Sequence, residues 1–276
     1  MAYADKLFKE TCKQILEHGS STEGMKVRPH WKDGTPAYTK KAFCIVNRYD
    51  LSKEFPILTL RPINYRAAID EILWIWQKKS NKVSDLHSHI WDSWAGEDGT
   101  IGKAYGYQLA KKSIYKEGEF DQVDRVLYDL KNNPYSRRIM TNIYNFDDLH
   151  EMNLYPCAYS MTFNVSDGKL NGILNQRSND VLVANNWNVV QYAVLMYMFA
   201  QVSDLKVGEL VHVIADAHIY DRHIPIVEEL IQRKDYPAPK FSMNQEVKNF
   251  YDFTLDDFKI EDYQHGEAVK HIPVAI

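Results

Sequence analysis

Residues 154–180 read LYPCAYSMTFNVSDGKLNGILNQRSND, and the organisation of the chain is clearest from this stretch. Residues 158–165 and 170–177 are β-rich runs. Ser166-Asp167-Gly168 between them is a hairpin signal, because Asp and Gly tolerate the backbone angles of a tight turn. Downstream, residues 187–200, within an expected helix over 187–201, are apolar apart from Asn188 and Gln191. That run is short of the roughly 20 residues a membrane span needs, so it reads as a buried helix. A third strand is expected over 209–215.

Upstream, residues 3–18 carry Leu7, Phe8, Cys12, Ile15 and Leu16 at helical spacing, with Gly19 expected as the C-cap. Residues 20–41 are polar, contain Pro29, Gly34 and Pro36, and read as a long loop before a strand over 42–49. Residues 65–78 place Ile69, Ile72, Leu73 and Trp76 on one side of a second helix. A third helix, 121–132, is ended by Asn133-Pro134. No internal repeat and no Gly/Ser- or Pro-rich linker divides the chain. One mixed α/β domain spanning residues 1–276 is the expectation.

Composition narrows the function. The chain has 276 residues, 33 basic and 37 acidic, for a net charge of −4, which argues against a general nucleic-acid binder. With 25% charged and 13% aromatic residues, long disorder is not expected. The three cysteines, Cys12, Cys44 and Cys157, are widely spaced, so no disulfide framework or paired zinc motif is readable. The opening MAYADKLFKE is charged within a few residues and is no secretory signal. A soluble cytoplasmic protein without membrane or metal is expected.

Most free cysteines are small buried hydrophobes, and Cys12 and Cys44 fit that description. Cys157 differs, because it sits at a loop-to-strand junction directly after Pro156. A nucleophilic thiolate there needs nearby positive charge. Arg177 lies in Gln176-Arg177-Ser178-Asn179-Asp180, at a strand end dense in polar groups. Arg137-Arg138 follows Tyr135-Ser136; such a pair is usually a solvated helix-end feature, yet clustered guanidiniums also grip phosphate dianions. In Asp216-Ala217-His218-Ile219-Tyr220, an extended backbone would point His218 and Tyr220 to one face, offering two hydrogen-bonding groups to a sugar hydroxyl; solvated polar groups at a strand end fit equally. Asn188 opens the apolar helix and fits an N-cap, or a group that reads a pyrimidine edge. Glu71, flanked by Ile72 and Trp74, is either a solvated helical carboxylate or a proton-transfer group with a raised pKa. Trp91, Trp94 and Tyr105 form either an aromatic wall or ordinary core.

With these residues in order, the chain resembles the thymidylate synthase family over nearly its whole length. The matches are Glu71-Ile72-Leu73-Trp74, Ile90-Trp91-Asp92-Ser93-Trp94, Ser136-Arg137-Arg138, Pro156-Cys157, Gln176 to Asp180, Asp216 to Tyr220 and Pro273-Val274-Ala275-Ile276. The resemblance implies a large mixed β-sheet covered by helices, with two such sheets back to back in a homodimer. It implies reductive methylation of dUMP by 5,10-methylenetetrahydrofolate, with Cys157 as nucleophile and Glu71, Tyr105, Arg177 and Asp180 as catalytic groups. Arg28, Arg177, Ser178, Asn179 and Asp180 would hold dUMP with Asn188, His218 and Tyr220, joined by Arg137 and Arg138 from the partner subunit. Asn64, Trp91, Trp94, Leu154, Asp180, Ala184, Trp187 and Ala275 would form the folate site, and the segment ending at Ile276 would close over it.

The sequence departs from the family in places. Ala158 stands where a histidine is usual, and Val27-Arg28-Pro29-His30 replaces the family's early Arg-Thr-Gly-Thr. Asn64 stands where a histidine is common, and Arg61 where a lysine is frequent. Ala184 replaces a glycine and Trp187 a phenylalanine. A dUMP hydroxymethylase of the same fold is the rival expectation.

Overall fold

A computed structural model describes residues 1–276. Helix α1 (Tyr3–His18) is followed by β1 (Ser20–Ser21), β2 (Thr39–Asp50), α2 (Tyr65–Trp76), α3 (Gly106–Ala110), β3 (Ser113–Tyr115), β4 (Gly118–Phe120), α4 (Gln122–Asn132) and β5 (Met140–Asn142). The second half runs β6 (Ala158–Ser166), β7 (Lys169–Gln176), β8 (Asn179–Asp180), α5 (Asn185–Val202), β9 (Lys206–Tyr220), α6 (Ile224–Leu230), β10 (Lys240–Met243) and β11 (Phe258–Glu261). Seven strands form the main sheet in the order β1-β2-β9-β7-β6-β5, with β8 beside β9.

The β6–β7 hairpin closes where the sequence signal lies. Asp167 and Gly168 both have positive φ, 50° and 71°, as a two-residue turn matched to strand twist requires. From β7 the chain crosses through α5 and returns as β9 parallel to β7, while β2 and β6 pair antiparallel with their neighbours. The sheet is therefore mixed. Helix α5 is apolar on every side and buried along nearly its whole length, packed against α2, β7 and β9. Its Phe199 is fully buried and stacks on Phe250 at 4.6 Å, with Phe163 and Trp76 edge-on at 5.2 and 6.0 Å.

Period-2 alternation along β9 sends Leu210, His212 and Ile214 under the helices and Val211 and Val213 to the other face. On that face Val46 is 50% and Ile173 40% exposed, and no helix covers them. Helices thus cover one side of the sheet only.

Several expectations change in detail. Part of the expected loop 20–41 is sheet, since Ser20 and Ser21 pair with Lys41 and Lys40 and β2 begins at Thr39. Gly19 is the C-cap of α1 as expected, at an ordinary φ of −70°. A Cβ there would lie 2.4 Å from the Ile15 carbonyl oxygen, so the position needs a glycine for space rather than for backbone angle. Cys44 is not buried: it is exposed on β2 with φ 58°. Asn188 is not at the N-cap of α5, a place held by Ala184, but one turn inside.

Truncating Phe199 to Ala is expected to lower unfolding stability by about 3–5 kcal/mol through lost burial and a residual cavity. Urea denaturation measures the change.

Candidate active site

Hairpin register puts the two key groups side by side. Ala158 pairs with Gln176, so Cys157 just before β6 lies across from Arg177 just after β7, and the Arg177 amide donates to the Cys157 carbonyl at 3.0 Å. A one-residue register shift between Ala158 and Ser160 kinks β6 beside the thiol, a common way to re-aim a strand end. The Arg177 side chain then folds back on the same loop. Its Nε donates to Pro156 O at 3.0 Å, and its Nη2 donates to Tyr155 O at 2.7 Å and lies 3.6 Å from Cys157 Sγ.

The thiol stands between two connected chambers whose shared wall includes Cys157, Trp94, Leu154, Gln176, Ala184 and Asn188. The inner chamber, about 300 Å³, is mainly aromatic: Trp91, Tyr105, Trp187 and Tyr192 surround Glu71. The outer cleft, about 570 Å³, is polar and takes in Arg28, Arg177, Ser178, Asn179, Asp180, His218, Tyr220 and Ala275. Three of the sequence candidates lie outside both. Asn64 caps α2, its side-chain oxygen accepting from the Ala67 amide at 3.2 Å, and Arg137 and Arg138 are exposed near β5.

Burial pushes the Cys157 thiol above the ordinary range, while Arg177 and then Arg28 pull it back down; burial prevails. The Tyr105 hydroxyl accepts from the Cys157 amide at 3.3 Å, and burial holds it well above the usual phenol range. Tyr105 sits at φ 47° and ψ −107°, a costly conformation for a residue with a Cβ. The next residue, Gly106, presses on backbone: a Cβ there would lie 2.3 Å from Ser80 O. The strained turn therefore packs tightly just where the hydroxyl meets the thiol's own amide.

Glu71 is buried, so the solvated reading does not apply. Burial raises its pKa, opposed by hydrogen bonds from Trp187 and Trp91; the indoles donate to Oε2 at 2.6 Å and Oε1 at 2.9 Å. Both oxygens are thus held by donor-only groups. In the outer cleft, β9 stays extended through Tyr220, and the His218 and Tyr220 rings meet edge-on at 5.1 Å. His218 Nδ1 is 3.0 Å from Asp216 Oδ1, whose partner oxygen takes Lys41 Nζ at 2.7 Å. Asp180 Oδ1 accepts from the Leu182 and Val183 amides.

The segment ending at Ile276 is tied down beside Arg28. Ile276 and His30 exchange both backbone hydrogen bonds, at 2.9 and 3.0 Å, and Val274, Ala275 and Ile276 wall the outer cleft. Sequence reasoning missed Lys41, placed in a loop, and gave no role to the amides Gln176 and Gln191. A polar side chain inside an otherwise apolar strand or helix is the signal that finds the last two. No group of three or more His, Cys, Asp or Glu is placed to hold a metal ion. No helix is long and apolar enough to cross a membrane.

A half-buried thiol beside a guanidinium, between an aromatic chamber and a polar cleft on a mixed sheet, is an arrangement suited to covalent cysteine chemistry on an anionic small molecule. Comparison with known proteins narrows this. The thymidylate synthase family model matches residues 6–276. Thymidylate synthases of Bacillus mojavensis and of Bacillus phage phi3T are each 47% identical over 274 residues, covering 98% of both chains. The solved thermostable thymidylate synthase A from Bacillus subtilis superposes with a TM-score of 0.95 at 45% identity, over 99% of each chain. The chain belongs to the thymidylate synthase family.

Because burial outweighs the arginines, alkylation of Cys157 by iodoacetamide is expected to accelerate with pH through a midpoint above the usual ~8.5 of a free thiol. Removing positive charge raises a thiol pKa, so Arg177→Ala moves the midpoint further up. Peptide mass spectrometry separates Cys157 from the exposed Cys44; a midpoint below the ordinary range contradicts this balance.

Proposed function

We propose that residues 1–276 form one catalytic domain that converts dUMP to dTMP, with Cys157 adding to C6 of the uracil ring. Family membership supports the reaction, a methyl transfer with 5,10-methylenetetrahydrofolate as co-substrate. The observation that carries the residue assignment is Arg177 Nη2 standing 3.6 Å from Cys157 Sγ where the two chambers meet.

Each side chain then has work suited to its surroundings. Arg28, Arg177 and Ser178 face the phosphate, with Asn179 and Asp180 behind them. His218 and Tyr220 take the sugar hydroxyl, and Asn188 reads the uracil edge. C5 of uracil is a poor nucleophile until sulfur bonds to C6, which makes C5 and the C4 oxygen an enolate. Charge developing at that oxygen needs donors already aimed at it, and Asn188 in the wall beside Glu71 is placed for that. Tyr105, touching the Cys157 amide, holds the water that removes the C5 proton.

The inner chamber suits a flat bicyclic ring, since Trp91, Trp94, Trp187 and Leu154 offer broad apolar surface, with Ala184, Asp180 and Ala275 toward the outer side. A bound folate supplies the one-carbon unit and the hydride. The aromatic wall and the pinned C-terminal segment exclude the water that would compete with that hydride. The Bacillus relatives carry the name of the methylating enzyme, which disfavours the hydroxymethylase alternative.

We also propose a homodimer joined through the uncovered sheet face. Val46, Ile173, Val211 and Val213 offer a contiguous apolar surface, and exposed Arg137 and Arg138 are free to reach a second copy's phosphate site.

Incubation with 5-fluoro-dUMP and methylenetetrahydrofolate is expected to leave an adduct on the Cys157 peptide, absent in Cys157→Ser. Turnover in that variant is expected to fall by roughly 10³ or more. Dihydrofolate absorbance rising in step with product marks methylation; product without it marks hydroxymethyl transfer. Val46→Lys is expected to sediment as a monomer and bind dUMP at least about tenfold more weakly, since burying an unpaired charge breaks the interface. A wild-type monomer with full activity would remove the second copy from the site.

A further inference from the structure

Asn188 is held by other amides rather than by backbone. Its Oδ1 accepts from Gln176 Nε2 at 3.1 Å and from Asn179 Nδ2 at 3.3 Å, while its Nδ2 donates to Gln191 Oε1 at 3.0 Å. A carboxamide has two acceptor sites and two N–H groups. In this orientation both lone pairs have partners inside the protein and one N–H is left for the cleft. That N–H suits a carbonyl. If the amide flipped, a lone pair would face the cleft and suit an amino group instead. The flip is the difference between a uracil and a cytosine edge.

Something must set it, because amides facing amides can all reverse together. At one end, both Glu71 oxygens already accept from indoles, so the carboxyl is fixed as an acceptor. Gln191 Nε2 has no close hydrogen-bond partner but turns toward this carboxyl, a lesser influence than the indoles against the upward push of burial. Gln191 therefore presents its oxygen to Asn188. At the other end, Gln176 Oε1 accepts from Asn179 Nδ2 at 2.9 Å and meets the Nε2 of His212. His212 is fully buried on the helix-covered face of β9, and its Nδ1 has no partner. Burial pushes its pKa down to about 3, so the ring is neutral and carries one N–H. A proton on Nδ1 would leave a buried donor unpaired and set the bare Nε2 against the Gln176 oxygen; a proton on Nε2 pairs with that oxygen and leaves only a bare acceptor at Nδ1, the less costly arrangement. Ala158, the cross-strand neighbour of Gln176 on its other side, has no polar atom to contribute.

We propose that His212 is a specificity-determining positioning residue, its Nε2–H orienting Gln176 and through it Asn188 in a one-way chain of hydrogen bonds that ends at Glu71. The chain makes the cleft select a base with a carbonyl, not an amino group, at the position facing Asn188. This rests on the proposed dUMP site and adds its selectivity device.

Two measurements test it in the full-length protein. Nitrogen-15 NMR is expected to find His212 as the Nε2–H tautomer with no titration between about pH 5 and 8; an Nδ1–H tautomer or a titrating ring overturns the proposal. Dissociation constants for dUMP and dCMP give the second. His212→Leu is expected to cut the preference for dUMP by about tenfold or more. His212→Gln, whose amide nitrogen replaces the donor, is expected to restore most of it. A folded His212→Leu protein with unchanged preference shows that the ring only fills space. Should His212→Leu fail to fold, Gln176→Glu replaces the Nε2 donor toward Asn188 with an acceptor and is expected to shift preference toward dCMP; no shift overturns the chain. If the wild-type protein binds neither nucleotide, it is the dUMP reading that fails, whatever the His212 tautomer.

Discussion

Arg177 donates to two carbonyls of the segment that carries Cys157 and keeps its remaining charge against the sulfur. That single side chain ties loop shape to thiol chemistry. Without it the Tyr155 and Pro156 carbonyls lose their donors and the sulfur loses its nearest cation. Its placement is a consequence of hairpin register: with Asp167 and Gly168 in the turn, pairing Ser166 with Lys169 brings the strand ends together at Cys157 and Arg177. A one-residue slip would turn Gln176 and the residues beside it to the opposite face. The chemistry at one end of the strands is thus specified by a turn at the other.

The thiol is not pre-ionised by its surroundings. Burial raises it more than Arg177 and Arg28 lower it, so the resting site keeps a protonated, unreactive sulfur. Glu71 is treated alike, buried yet held by two indoles, with its pKa raised. Both groups sit in a site walled largely by aromatic and aliphatic side chains, where small geometric changes have large electrostatic effects. A site so arranged keeps its reactive groups quiet until ligands complete it.

Much of this was readable from residue order, and the failures have physical causes. The hairpin signal and the apolar 187–200 run located β6, β7 and α5 because each is a local pattern: turn chemistry in one case, all-round burial in the other. The strands ran longer than expected because their ends carry polar residues that line the cleft, as His218 and Tyr220 do on β9. Lys41 was lost in a supposed loop for the same reason. Cys157 and Arg177 were singled out individually, but their approach depends on pairing register, which no single stretch reveals. Gln176 was legible as part of the Gln176–Asp180 motif and His212 only as a polar residue in a largely apolar strand, and only the third dimension joins them. The family motifs located the cleft-lining residues; outside both chambers lie Asn64, whose side-chain oxygen caps α2, and the exposed Arg137 and Arg138.

The open side of the sheet has a consequence for how the molecule comes into being. Helices shield one face, while Val46, Ile173 and their neighbours on the other stay wet in an isolated chain. Hydrophobic strands left uncovered are sticky toward any similar surface, native or not. With that face paired in the proposed homodimer, reaching a safe state is a second-order process, a race between correct encounter and clumping. Dilute or slowly accumulating chains linger longest in the vulnerable form, so how fast the protein is made matters alongside how stable it becomes.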